Sequence, residues 1–433
     1  MLATYVPSSL TSSQLFFLLM FEVRNCRFSH GEVLPLLCRT PHQTPAALPL
    51  IYTVLRRRHR AVSTLRRDAQ IFKWFYQWAY HEIGCDFDEL ATSGRLNLVI
   101  DKLEHFGFWL RTGRVTTKIA GRIGNTRSDD GADWLHPASF NGYLQTVQLF
   151  LTWAAERYLT DVSATSLDER VLALKDRIRS NFDALYLGGI SVAEVKGLDD
   201  QDLHALLLML HPSASDNPFR RNARVRNWLI FRLFAEAGPR RGELLKLKTT
   251  DLVEDGEKFY VTLRRMPDDP SETRAIPPAQ KTLPRTVGIS EALFLDLEKY
   301  IQMERRPIRD GKRTRLPHQF LFTSERGTPL SLSALNSVFS VMRGAAFKHT
   351  DTQLHPHLLR NTFCNSYLDW RVERTKVELE RATDELRYLC GWQLNSKMPQ
   401  RYAAKWIASQ ANQQNQARVN AAWDDANDTE PAK

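Results

Sequence analysis

The chain has 433 residues, with 59 Lys plus Arg against 49 Asp plus Glu and a formal net charge of +10. That length exceeds what one ordinary hydrophobic core organises, so two domains are expected, and the excess positive charge leans toward a polyanionic partner. Five scattered cysteines without a CxxC or Cys/His cluster argue against a disulfide framework and a structural zinc site, and no apolar run approaches the roughly 18 residues of a membrane span.

The stretch LFFLLMF at 15–21 is short and lacks a basic flank before it, so it does not read as a signal peptide. A reducing, cytoplasmic location is expected. Residues 1–50, with prolines at 7, 35, 41, 45 and 49, read as an irregular N-terminal extension. A basic cluster follows at Arg56, Arg57, Arg58 and Arg60. Ser63 or Thr64 is placed to cap a helix whose apolar residues Leu65, Ala69, Phe72, Phe75, Tyr76, Ala79 and Ile83 recur every three to four positions, and Gly84 ends it. A second helix is expected over 93–111, a polar loop over 124–133, a third helix opening at Pro137 and a fourth over 167–182. The Gly188-Gly189 pair breaks this pattern and sets the expected domain boundary.

Helices resume at Asp199–Leu210 and Arg224–Ala237, the latter ended by Gly238-Pro239. The alternating EKFYVTLRR (257–265) predicts a strand, a proline-rich insertion follows over Pro267–Pro278, and TVGIS (286–290) predicts a second strand. From 291 onward the pattern is mostly helical, and the tail from Gln410 is polar with one large apolar residue, Trp423.

Four segments carry chemistry. In AGPRRGELLKL (237–247), Arg240 and Arg241 stand at the start of a short helix, where an arginine fork adds to free backbone N–H groups and suits a phosphate. Glu243 lies three residues on, in reach to orient Arg240. In PAQKTLPRTVGIS (278–290), Lys281 falls in a turn between strand candidates, a place from which an amine donates a proton; Lys258 and Arg285 are rivals for that role. In HPHLLRNTF (355–363), His357 and Arg360 share one helix face. In GWQLNSKMPQRYAAKW (391–406), Trp392 offers an indole donor and Tyr402 a hydroxyl nucleophile. Each segment alone is also what a solvated helix start, a surface hairpin or a core aromatic looks like. Their order along the chain is what raises them above that reading.

In that order the segments resemble the catalytic domain of the tyrosine recombinase (phage integrase) family. GPRRGELLKL resembles the family's Gly-x-Arg-x-x-Glu-Leu pattern, which implies Arg240 as the first catalytic arginine and Glu243 as its supporting acid. KTLPRTVGI resembles the hairpin-lysine segment and implies Lys281. HLLRNTF resembles the HxLRHTF box and implies His357 and Arg360. CGW stands where most members carry LGH, implying Trp392, and RYAAKW resembles the ending that carries the nucleophile, implying Tyr402. The stretch 62–78 and the helix at 137–159 resemble the family's core-binding domain. The interval from Trp392 to Tyr402 is one residue longer than usual, the stretch Arg371–Arg387 is longer than the common link, and the insertion at 266–279 exceeds a minimal hairpin.

The resemblance implies a mostly α fold with a small antiparallel β-sheet. Its parts would be the extension 1–50, a helical, SAM-like core-binding domain over 51–188, a mixed α+β catalytic domain over 189–408 and a polar tail over 409–433. It implies a site-specific recombinase that cuts and rejoins DNA through a 3′-phosphotyrosine, without metal or cofactor. A type IB topoisomerase-like relaxing enzyme and an inactive DNA-binding protein are the alternatives. The implied partners are double-stranded DNA, three further copies of the chain forming a homo-tetramer on two DNA sites, and an accessory DNA-bending protein, with the protein at the nucleoid when bound. Arg56, Arg57, Arg58, Arg60, Arg66 and Arg241 are the candidate DNA contacts.

Overall fold

The computed structural model describes residues 21–111, 136–158, 164–188, 195–309, 311–346 and 354–428. They are mostly helical with three small antiparallel sheets, and the chain divides into two compact units, Met1–Val192 and Ala193–Lys433. The polar loop expected at 124–133 lies outside the described residues. Among the described residues no helix is long and apolar enough to cross a membrane.

The N-terminal unit opens with strands β1 (Phe21–Arg27), β2 (Val33–Arg39) and β3 (Thr44–Pro45), followed by helices α1 (Ala47–Tyr52) and α2 (Val62–Ile83). Helices α3 (Phe87–Thr92), α4 (Asn97–Ile100), α5 (Leu103–Arg111), α6 (Pro137–Tyr158) and α7 (Ala164–Leu185) complete it. The apolar positions of α2 are buried from Leu65 to Ala79. There Phe72, Phe75 and Tyr76 pack against Phe87 and Phe150 in tilted and edge-on pairs, a geometry that adds to simple area burial. Gly84 ends α2 in the left-handed conformation.

Four expectations for this part of the chain are corrected. Residues 21–52 are not irregular: β1 and β2 pair antiparallel from Phe21↔Arg39 to Arg27↔Val33. Pro35 is tolerated in β2 because β3 pairs only with Cys38 and Arg39, so among the described residues Pro35 has a strand neighbour on one side only. These strands pack on α2, and Asp88 ties the layers together by accepting from Tyr76 Oη and from the backbone of Ala47 and Leu48. The sheet therefore belongs to the first unit, so that unit is not purely helical and does not begin at 51. Neither Ser63 nor Thr64 caps α2, which starts at Val62 after an uncapped Ala61. The expected helix over 93–111 is divided into α4 and α5, and α3, capped by Asp86, precedes them.

The second unit contains α8 (Asp200–Leu210), α9 (Arg221–Ala237), α10 (Arg241–Lys246), β4 (Leu252–Asp255), β5 (Lys258–Leu263) and β6 (Arg285–Gly288). It continues with α11 (Glu291–Met303), a two-residue pair β7 and β8 (Ile308–Arg309 and Lys312–Arg313), α12 (Leu332–Ala346), α13 (Pro356–Asp369), α14 (Leu379–Leu389) and α15 (Met398–Asp428). The sheet β4-β5-β6 buries Val261, Leu263 and Val287 against the helical core. Helix α9 packs on α13, which brings the 240 region beside the 360 region.

The long connection between β5 and β6 is anchored rather than loose. Lys246 Nζ donates to Met266 O at 2.5 Å, and the buried Arg274 guanidinium donates to the carbonyls of Leu245 and Leu330. Gln280 bridges back to Arg264 O and Met266 N, closing the base of the excursion just before Lys281. The tail also differs from expectation. Pro399 lies in the first turn of α15, where a missing N–H costs nothing, and the helix runs on to Asp428 with Trp423 exposed. Its last turns read as polar tail because almost every residue of 411–423 faces solvent, which leaves no apolar periodicity to detect.

Candidate active site

The site grows from the Gly238-Pro239 end of α9. Gly238 takes a left-handed conformation, and a Cβ there would lie 2.3 Å from the Phe363 ring. The close approach lets Gly238 O accept from Arg360 Nη1 at 2.5 Å. Arg240 then caps α10, with its own N–H donating to Glu243 Oε2 at 2.8 Å. The side-chain partner of Glu243 is not Arg240 but Arg285, which clasps both carboxylate oxygens at 3.0 Å. Arg360 Nη1 lies 3.9 Å from the same carboxylate. Burial works to raise the Glu243 pKa, but Arg285, Arg360 and the Arg240 amide together bring it below the usual carboxylate value. One buried anion thus sits among three arginines.

Arg360 is 1% exposed. Its Nη2 donates to Cys390 O at 2.7 Å, while its Nε has no partner among the described residues. Arg240 Nη1 and Trp392 Nε1 are likewise buried and without a partner there. Burial, followed by the charge of Arg360, lowers the Arg240 pKa to about 10, which leaves it cationic at neutral pH. The Arg360 guanidinium carbon lies 5.5 Å from the centroid of the Trp392 ring, and Trp392 stacks on Tyr402 at 5.4 Å and 24°. Tyr402 is 1% exposed, and its hydroxyl donates to Asn361 Oδ1 at 2.7 Å. Burial, followed by the neighbouring Cys364 and Cys390, pushes its phenol far above the ordinary pKa. The two thiols touch at 3.4 Å beneath it.

His357 is exposed at the start of α13. Desolvation by its surroundings, then the charges of Arg360 and Arg240, hold its imidazole below the ordinary value. His355 is the N-cap of α13, accepting from Leu358 N, and is occupied in that role.

Lys281 is exposed and lies just ahead of β6. Its segment is pressed on α10: a Cβ at Gly242 would stand 2.0 Å from Ala279 O, so only glycine admits the approach. Of its rivals, Arg285 is spent on Glu243 and on Leu389 O. Lys258 begins β5, while Leu263, at the other end of that strand, pairs with Arg285. Five residues of strand separate the two ends by roughly 16 Å, so Lys258 stands away from the arginines.

Arg241 is exposed on the first turn of α10. In the N-terminal unit Arg56 and Arg60 are exposed, whereas Arg57 pairs with the buried Asp68 at 2.7 Å and Arg58 with Glu32 at 2.6 Å. Arg66 donates to Asn25 at 3.1 Å. These three spend at least part of their donor capacity on their own unit.

Sequence reasoning missed two members of the site. Arg285 reads in the sequence only as a rival proton donor, whereas in the structure it is the strut under Glu243. Asn361 carried no signal beyond standing next to Arg360.

Residues 196–405 match the phage integrase family. The C-terminal unit belongs to that family. Its members are tyrosine recombinases, and this chain is a DNA-breaking and rejoining recombinase of that class. Among solved structures, the chain is similar to the XerH site-specific recombinase bound to difH substrate in a pre-cleavage complex. The identity is 13%, with 79% of this chain and 82% of that chain covered and a TM-score of 0.38. It is also similar to the Tn1549 transposon integrase in complex with circular intermediate DNA, at 15% identity, 77% and 94% coverage and a TM-score of 0.41. No curated protein matches the chain in sequence.

Proposed function

We propose that this recombinase acts on double-stranded DNA with Tyr402 as nucleophile, Arg240, Arg360 and Trp392 as donors to the scissile phosphate, His357 as base and Lys281 as acid. The observation that carries the reading is a set of three buried donors without acceptors among the described residues, Arg240 Nη1, Arg360 Nε and Trp392 Nε1. A buried donor left unpaired costs about 1–3 kcal/mol. Arg360 lies beside the Glu243 carboxylate and against the Trp392 ring, and unpaired donors gathered there suit an anion that arrives from outside. Phosphoryl transfer concentrates charge on the non-bridging oxygens, and each preorganised donor there is worth roughly 3–4 kcal/mol in the transition state.

The step balances without metal or nucleotide. The Tyr402 oxygen bonds to phosphorus as the bond to the 5′ oxygen breaks. The phenolic proton passes to His357, and Lys281 supplies a proton to the departing oxygen. The product is a 3′-phosphotyrosine and a 5′-hydroxyl. Attack by the 5′-hydroxyl of a second strand reverses the step and joins that strand in a new arrangement. Arg56, Arg60 and Arg241 are the exposed candidates for backbone phosphates, whose contacts would make binding steeply salt-dependent. Exchange between two duplexes uses four protomers, with an accessory DNA-bending protein supplying curvature.

The test uses nicked duplexes drawn from the DNA flanking the coding region, in which loss of a short fragment traps the covalent intermediate. A denaturing gel is expected to show a protein–DNA adduct, and two labelled duplexes are expected to give joint products. Adduct without joint products points to a relaxing enzyme, and no adduct on any flanking segment contradicts the proposal.

His357 gives this reaction a definite pH dependence. Its folded pKa lies below the ordinary ~6.5, so the neutral base persists through neutral pH and is lost only as pH falls below that value. Single-turnover adduct formation is expected to hold steady around neutral pH and to decline on the acid side of the ordinary imidazole value. His357→Gln is expected to lower the plateau and remove the acid limb. The stability contribution has the same sign: the unfolded chain binds the proton more readily, so stability present above the unfolded value is lost as pH falls from there through the lower folded value.

A further inference from the structure

We propose that Asn361 is a positioning residue that holds Tyr402 in a retracted, protonated state until DNA docking releases it. The inference rests on Tyr402 being the nucleophile. A side chain amide can donate or accept, but here the direction is fixed by a third group. Asn361 Nδ2 donates to Lys196 O at 2.8 Å, and a carbonyl only accepts, so Oδ1 is the atom turned toward Tyr402 and takes its hydroxyl proton at 2.7 Å. The carbonyl that sets this direction is itself held. Leu198 N donates to Thr362 Oγ1 at 2.8 Å, and Gly197 lies so close to α13 that a Cβ there would stand 2.7 Å from Asn365 and 3.1 Å from the Thr362 backbone.

The consequence is chemical as well as geometric. An amide oxygen cannot take the proton away, so while the bond to Asn361 stands the hydroxyl cannot pass its proton to His357. Tyr402 and Arg360 are each 1% exposed and Tyr402 is stacked on Trp392, so a phosphate on a duplex reaches either side chain only once the site opens. Attack therefore requires Tyr402 to leave Asn361. Of the groups around the hydroxyl, Cys364 is the remaining hydrogen-bonding neighbour, and a thiol is a weak partner. Removing the Asn361 acceptor should thus free the tyrosine rather than hand it to a substitute.

The test reads Tyr402 exposure directly. DNA-free protein is treated with tetranitromethane, and nitration at Tyr402 is followed by peptide mass spectrometry, with the other tyrosines as internal reference. Asn361→Leu preserves volume without the acceptor, and Asn361→Ala removes both; melting curves identify which of them folds. Nitration at Tyr402 is expected to rise about five-fold, the shift given by loss of one ordinary hydrogen bond, together with faster first-turnover adduct formation on nicked duplexes. Unchanged nitration in a folded variant overturns the inference. Increased nitration with no adduct from either wild type or variant would leave Asn361 as the holder of Tyr402 and remove Tyr402 as the nucleophile.

Discussion

Glu243→Ala is expected to destabilise the catalytic unit by about 3–5 kcal/mol and to abolish strand cleavage. The carboxylate is buried, accepts from Arg240 N and from both terminal nitrogens of Arg285, and faces Arg360. Deleting it leaves Arg285 and Arg360 buried as neighbouring cations without a counter-charge, and breaking one partner of a buried pair costs far more than never having had the pair. Urea unfolding followed by tryptophan fluorescence measures the first effect, and adduct formation on nicked duplexes the second. The double variant Glu243→Leu, Arg285→Leu separates them. Replacing both partners by apolar side chains removes the unpaired charge and is expected to recover much of the stability. Activity should stay lost, because nothing then sets Arg240 and the start of α10.

Arg360→Lys keeps a cation and is nonetheless expected to slow cleavage on the order of 100- to 1000-fold. The guanidinium makes two bonds at once, to Gly238 O and Cys390 O, while its Nε remains for an incoming oxygen. An ammonium is a point charge on a flexible stem and cannot hold two carbonyls and a third acceptor in one plane. Both carbonyls would lose a partner, with a stability loss of about 1–3 kcal/mol. Single-turnover rates at saturating DNA isolate the chemical defect, since duplex affinity depends on many other phosphate contacts and should change little. A variant that cleaves at the wild-type rate would remove Arg360 from the phosphate site.

The segments around Arg240, Arg360, Trp392 and Tyr402 were legible through their resemblance to a family pattern, and the structure brings Arg360, Trp392 and Tyr402 into contact; the catalytic role of each remains part of the proposal. The buried face of α2 was legible for the usual reason, apolar residues at helical spacing. Arg285 was not, because a strut is defined by the residue it braces 42 positions away, and no local pattern records that pairing. Asn361 escaped for the same cause: its role is set by Lys196 O on one side and Tyr402 on the other. The sheet at 21–45 was hidden by its own prolines, which read as breakers until the strand order shows that Pro35 has, among the described residues, a neighbour on one side only. The helical run of the tail was hidden because its surface faces solvent nearly all round, so nothing in it repeats.

The central claim, that Tyr402 becomes covalently joined to DNA at a phosphate held by the arginine group, is tested most directly by mapping the trapped adduct. Protein incubated with the nicked duplex is digested with protease and nuclease, and the nucleotide-bearing peptide is sequenced by mass spectrometry. The account predicts a nucleotide 3′-phosphate on the peptide containing Tyr402, and none from Tyr402→Phe. An adduct that forms in Tyr402→Phe, or one that maps to another residue in the wild-type chain, would contradict it.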